Sequence, residues 1–151
     1  MTLEQLAGLG EIIAALGVVI SLIYVARQIR QNTDAVQANT EQWWAQAGWS
    51  RLGPVSTDRE LAEWWLAGAE QFESLDEIDK QRHILFEFSV LQVWWNAYLA
   101  RKKGLLSDEV WDHHLSVMKT FGQRQAIRVA WKANKHLWSE EYRELVSRYL
   151  E

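Results

Sequence analysis

Residues 6–26 read LAGLGEIIAALGVVISLIYVA, and this stretch decides the fold. It is the one long apolar run in a chain of 151 residues, and Arg27 and Arg30 close it. At 1.5 Å per residue the run makes about 31 Å of helix, close to the thickness of a bilayer's hydrocarbon core. A single charge, Glu11, interrupts it in its first third. Ser21 is tolerable there because a hydroxyl can bond back to a carbonyl one turn earlier. The competing reading is the core helix of a soluble domain, since the run is shorter if counted only from Ile12. A cleaved signal peptide fits less well. The residues before the run carry Glu4 and no Lys or Arg, and Tyr24-Val25-Ala26-Arg27-Gln28 offers no small-x-small cleavage site. With basic residues on one flank only, the N-terminus is expected outside and the rest of the chain in the cytoplasm.

Two faces can be read on this helix. Gly10, Ala14, Gly17 and Ser21 form a small-residue stripe of the kind that lets membrane helices approach closely. A heptad seam also runs through the span and beyond it. One set is Ala15, Leu22, Ile29, Val36 and Trp43; its companion is Glu11, Val18, Val25, Asn32 and Asn39. Asn32 and Asn39 would be polar layers that fix register in a parallel assembly. Glu11 has two readings: it snorkels to the headgroups, or it faces the axis of an oligomer as an intramembrane acid with a function.

From Arg27 to about Trp49 the helix is expected to continue as a stalk. It is polar around most of its circumference, which leaves it unstable without a partner. Gly53-Pro54 is expected to stop it. The chain thus divides into a transmembrane anchor (1–30), a helical stalk (31–53) and a cytoplasmic helical bundle (54–151), an all-α fold with no strand signal.

The bundle's helices follow from their caps. Ser56-Thr57-Asp58 precedes a helix to about Phe72. Ser74-x-x-Glu77 reads as a capping box opening a central helix, about Asp76 to Lys103, apolar on more than one face. Gly104 ends it. Further helices are expected over Asp108–Phe121, Arg124–Lys135 and from Ser139 to Tyr149. Ten tryptophans are present, six of them in the doublets Trp43-Trp44, Trp64-Trp65 and Trp94-Trp95. Indole has an apolar body and a polar N–H, which suits interfaces, so Trp44, Trp64, Trp65, Trp94 and Trp95 are expected to carry the body's contacts.

The block Val19-Ile20-Ser21-Leu22-Ile23-Tyr24-Val25-Ala26-Arg27-Gln28-Ile29-Arg30-Gln31-Asn32-Thr33 resembles the opening of a group of small bacterial single-pass membrane proteins. Gly104-Leu105-Leu106-Ser107-Asp108-Glu109-Val110-Trp111 is similar to a later segment of the same group, as are Ala130-Trp131 and Leu137-Trp138-Ser139-Glu140-Glu141-Tyr142. The resemblance implies a bacterial inner-membrane location and no particular chemistry.

Chemical signatures are few. The net charge of −4 with scattered Lys and Arg argues against nucleic acid, which wants a basic stripe. Without cysteine there is no disulfide or thiolate chemistry. His113-His114 beside Asp112, with His83 and His136, is the one metal-like group. Neighbouring histidines on a helix point about 100° apart, and no Glu-x-x-His occurs, so these read as surface or half-buried histidines. Gly8-x-Gly10 lacks the strand that a phosphate loop needs. Glu60, Glu63, Glu140 and Glu141 read as solvated charge. Arg101-Lys102-Lys103 complements a helix C-terminus or touches anionic lipid.

No cofactor is expected. The chain reads as a non-catalytic, membrane-anchored helical protein that self-associates and accompanies a larger membrane complex. Two alternatives remain open: an ion-conducting ring lined by Glu11, and a sensor binding an apolar ligand in a Trp-lined groove.

Overall fold

A computed structural model describes residues 2–150. They form six α-helices and two short 3-10 turns, with no strand among the described residues. Helix α1 is Leu3–Thr57, α2 Arg59–Glu70, α3 Glu77–Lys102, α4 Asp108–Phe121, α5 Gln125–Asn134 and α6 Glu140–Leu150. By contacts the chain divides into Met1–Ala38 and Asn39–Glu151. The sequence boundaries at 30 and 53 rest on lipid thickness and on a proline.

In the first unit every described residue belongs to α1 or immediately precedes it, and none is buried. The apolar side chains stand open: Leu16 is 57 % exposed and Ile20 67 %. Helix α1 is long and apolar enough to cross a membrane by length and composition. The Ser21 hydroxyl donates to the Gly17 carbonyl at 2.8 Å, so it adds no unsatisfied polar group to the apolar surface.

Helix α1 does not end at Gly53-Pro54, as expected, but runs to Thr57. Proline removes only its own N–H and crowds the carbonyl four residues back, a small loss so near a helix end. The Gly53 carbonyl accepts from the Ser56 and Thr57 hydroxyls at 2.7 and 3.2 Å. Asp58 N–H donates to the Pro54 carbonyl at 3.0 Å and completes the turn. The true break is Asp58 itself, in extended conformation, whose carboxylate accepts from Leu61 N–H at 3.0 Å to cap α2.

The capping box at Ser74 is a second correction. Ser74 lies in the 3-10 turn Phe72–Ser74, and its hydroxyl donates to the Gln71 carbonyl at 2.8 Å. The N-cap of α3 is Asp76, which accepts from Asp79 N–H at 2.8 Å. Asp and Ser cap about equally well, and the tight turn holds Ser74 too far back to serve. Gly104 closes the far end at φ 70, a left-handed conformation that a glycine adopts without strain.

Helix α3 is the centre of the second unit. It buries His83, Glu87, Leu91, Val93, Trp94, Ala97 and Tyr98 and packs closest against α5. Fully buried Leu91, Met118, Ile127, Trp131, Tyr142 and Val146 form the core. Trp131 and Trp138 stack with ring centroids 5.3 Å apart. Two ion pairs fasten the end of α3: Arg101 to Asp108 at 2.5 Å and Lys102 to Glu141 at 2.6 Å.

Candidate ligand cleft

Three helical faces leave a cleft of about 300 Å³ inside the second unit. The end of α1 contributes Trp44, Gly48, Arg51 and Leu52, spaced four, three and one. Helix α3 contributes Phe86, Val90, Val93 and Trp94, and α4 His113, Val117 and Phe121. Each set is one stripe of a 3.6-residue helix. Helix α3 approaches α5 over a longer stretch than it does α4. Gly48 deepens the wall, because nothing lies within 4 Å of where its Cβ would stand. Trp49, 73 % exposed, also lines the cleft.

Two charged groups reach this apolar surface. Arg51 donates from Nη1 to the Ala47 carbonyl at 2.6 Å and from Nε to Ser89 Oγ at 3.2 Å. Burial lowers its proton affinity, with no opposing acid. Glu87 is 1 % exposed and meets Arg124, 6 % exposed, whose Nε and Nη2 both approach Oε1 at 3.0 Å. Arg124 also donates from Nη2 to the Trp65 carbonyl at 2.9 Å, and its guanidinium lies 3.7 Å from the Trp65 ring centroid. Burial raises the Glu87 pKa, against the pull of Arg124.

His113 and His136 are exposed, as expected, but His83 and His114 depart from the expectation of surface or half-buried rings. His114 is fully buried among Trp111, Trp44 and Trp94, with centroids at 5.2, 5.4 and 6.4 Å. Neither ring nitrogen has a hydrogen-bond partner among the described residues. Burial, then neighbouring His113, pushes its pKa down to about 4, so the ring is neutral at pH 7. His83 is also fully buried and stacks on Trp64 at 3.9 Å and 4°. A Cβ at Gly68 would run into that imidazole. A neutral imidazole behaves here as a flat ring, and aromatic neighbours accept it as one. Among the described residues no three His, Asp or Glu side chains form a group able to hold a metal.

The other residues singled out in the sequence fall in two places. Gly10, Glu11, Ala14, Gly17, Val18, Ser21, Leu22, Val25, Ile29, Asn32 and Val36 are exposed on the first unit's helix, and Asn39 and Trp43 are exposed in the second. Apart from exposed Trp43, the doublets are occupied within the body. Trp44 and Trp94 wall the cleft, Trp64 and Trp65 hold His83 and Arg124, and Trp95 packs on Tyr98 and Tyr142 at 5.4 and 4.9 Å.

Sequence reading missed the Glu87–Arg124 pair and the His114 box. The signal for the first was there: His83 and Glu87 stand one turn apart on the same face of α3 as Leu91 and Trp94. Nothing in the chain marked Arg124 as the partner.

Fold and cleft together define an all-α protein with one membrane-length helix and an aromatic-walled cleft in a small helical body. No family model matches the chain, no curated protein matches its sequence, and no solved structure matches its fold.

Proposed function

We propose that this is a non-catalytic bacterial inner-membrane protein, anchored by residues 6–26 with its N-terminus outside, whose cytoplasmic body binds a small apolar ligand. The observation that carries this reading is the cleft. Its volume of about 300 Å³ lies at the lower end of small-molecule sites, which are concave, mostly apolar and carry a few polar groups. Its walls offer aromatic faces, aliphatic side chains and one guanidinium. A ligand the size of one aromatic ring buries roughly 200 Å². At about 25 cal/mol per Å² that gives about 5 kcal/mol of gross driving force, from which the cost of immobilising the ligand is subtracted.

The test uses the full chain in phosphatidylcholine nanodiscs and 8-bromo-1-octanol, whose bromine quenches nearby indoles. Saturable quenching of part of the tryptophan emission is expected, and Gly48→Leu, which has room to fold, should abolish it. Quenching that rises without limit, equally in both proteins and matching the discs' lipid uptake, would refute a ligand cleft.

Self-association through α1 is a second reading. It is favoured by the open face of that helix, where nothing lies within 4 Å of a Cβ at Gly10 or Gly17 and Ile29 is 61 % exposed. Light scattering of the detergent-solubilised chain tests it, and a strict monomer at micromolar concentration rejects it.

A further inference from the structure

The cleft's charges do not balance. Its one carboxylate, Glu87, is already matched by Arg124, and both lie almost wholly buried. Arg51 also lines the cleft, yet no carboxylate lies within ion-pair distance of it among the described residues. Its hydrogen bonds go to a carbonyl and a hydroxyl, both neutral, and engage Nη1 and Nε but not Nη2. A cation on an otherwise apolar wall loses hydration when a ligand covers it. A neutral ligand leaves that loss uncompensated, and a cationic one adds repulsion. An anion supplies the missing partner, and a carboxylate matches the planar donor edge of a guanidinium.

Resting on the reading of the cleft as a ligand site, we propose that its ligand is a free amphipathic monocarboxylate, with its head on Arg51 and its apolar tail among Trp44, Val90, Trp94 and Phe121. Size narrows the class. A cleft of about 300 Å³ lies at the small end of ligand sites. That suits a medium-chain fatty acid or a small aryl-alkanoic acid. A phosphate monoester would bring up to two negative charges to one guanidinium, and a diacyl lipid exceeds the volume several-fold.

The test compares three probes that share one brominated tail on the full chain in phosphatidylcholine nanodiscs at pH 7: 8-bromooctanoate, 8-bromo-1-octanol and 8-bromooctylammonium. The acid is expected to bind at least about tenfold tighter than the alcohol, the margin of one charge-assisted hydrogen bond. The ammonium should bind weakest. Arg51→Gln should erase the preference for the acid while leaving alcohol binding in place, and Arg51→Lys should retain part of it. Alcohol bound as tightly as acid, or ammonium bound best, overturns the carboxylate and leaves the cleft reading standing. Failure of every probe to saturate overturns both. Loss of acid binding in phosphatidylglycerol discs would show that a lipid headgroup takes the site, and the free acid falls. Should Arg51→Gln fail to fold, the wild-type ranking of the three probes decides alone.

Discussion

His114 is a titratable ring with no hydrogen bond to either nitrogen, held neutral by its surroundings. Its pKa in the folded chain is about 4, against about 6.5 when unfolded. Between those values the unfolded chain binds more protons than the folded one, so stability falls as pH drops from about 6.5 to about 4. The full loss from this ring is about 3 kcal/mol. Glu87 acts in the opposite sense, because burial raises its pKa and the folded form therefore gains protons first. The difference between wild type and His114→Phe isolates the ring. Urea unfolding followed by near-ultraviolet circular dichroism should show the variant's stability falling less over that interval. Identical pH slopes would mean that the imidazole is not sealed from water. The sequence marked His114 as chemically interesting but not as buried, because burial came from Trp44 and Trp94, on other helices.

At the scale of the helix, local signals placed most elements and misplaced two ends. Helix α4 lies where acids in its first turn and a glycine after it say it should. The start of α3 differs from the sequence expectation, because Ser74 and Asp76 both fit a cap and only the 3-10 turn before them chooses. Asp76→Ala should cost about 1 kcal/mol of unfolding free energy, while Ser74→Ala should cost clearly less, since its hydroxyl serves only the Gln71 carbonyl. Equal costs in thermal or denaturant unfolding would restore the capping box. Helix α1 runs through Pro54. A proline costs a helix only its own N–H bond to the carbonyl four residues back, and the turn beyond Pro54 still closes through Asp58 N–H on the Pro54 carbonyl.

For the whole molecule, the proposed anchor predicts which side of a membrane each part would face. The chain has no cysteine, so single introduced thiols report position without background. With a membrane-impermeant maleimide on intact bacterial cells, Thr2→Cys should be labelled at once. Asp112→Cys, exposed on α4, should react only after lysis. The reverse pattern would invert the orientation, and recovery of both variants in the soluble fraction would remove the anchor. Arg27 and Arg30 make this prediction directly from sequence, since charge asymmetry across a span sets its direction.

Sequence by itself determined the all-α class, the membrane-length apolar run and the approximate place of the body's helices. Those depend on period, length and caps, which are local properties of a chain. Only the tertiary structure decided that Glu87 meets Arg124, that His114 is enclosed by three indoles, and that stripes from α1, α3 and α4 face one another across a cleft with an unmatched Arg51. Most of these contacts join residues on different helices. Each stripe alone reads as ordinary core, and only the placement of the three faces in the fold leaves a cavity between them.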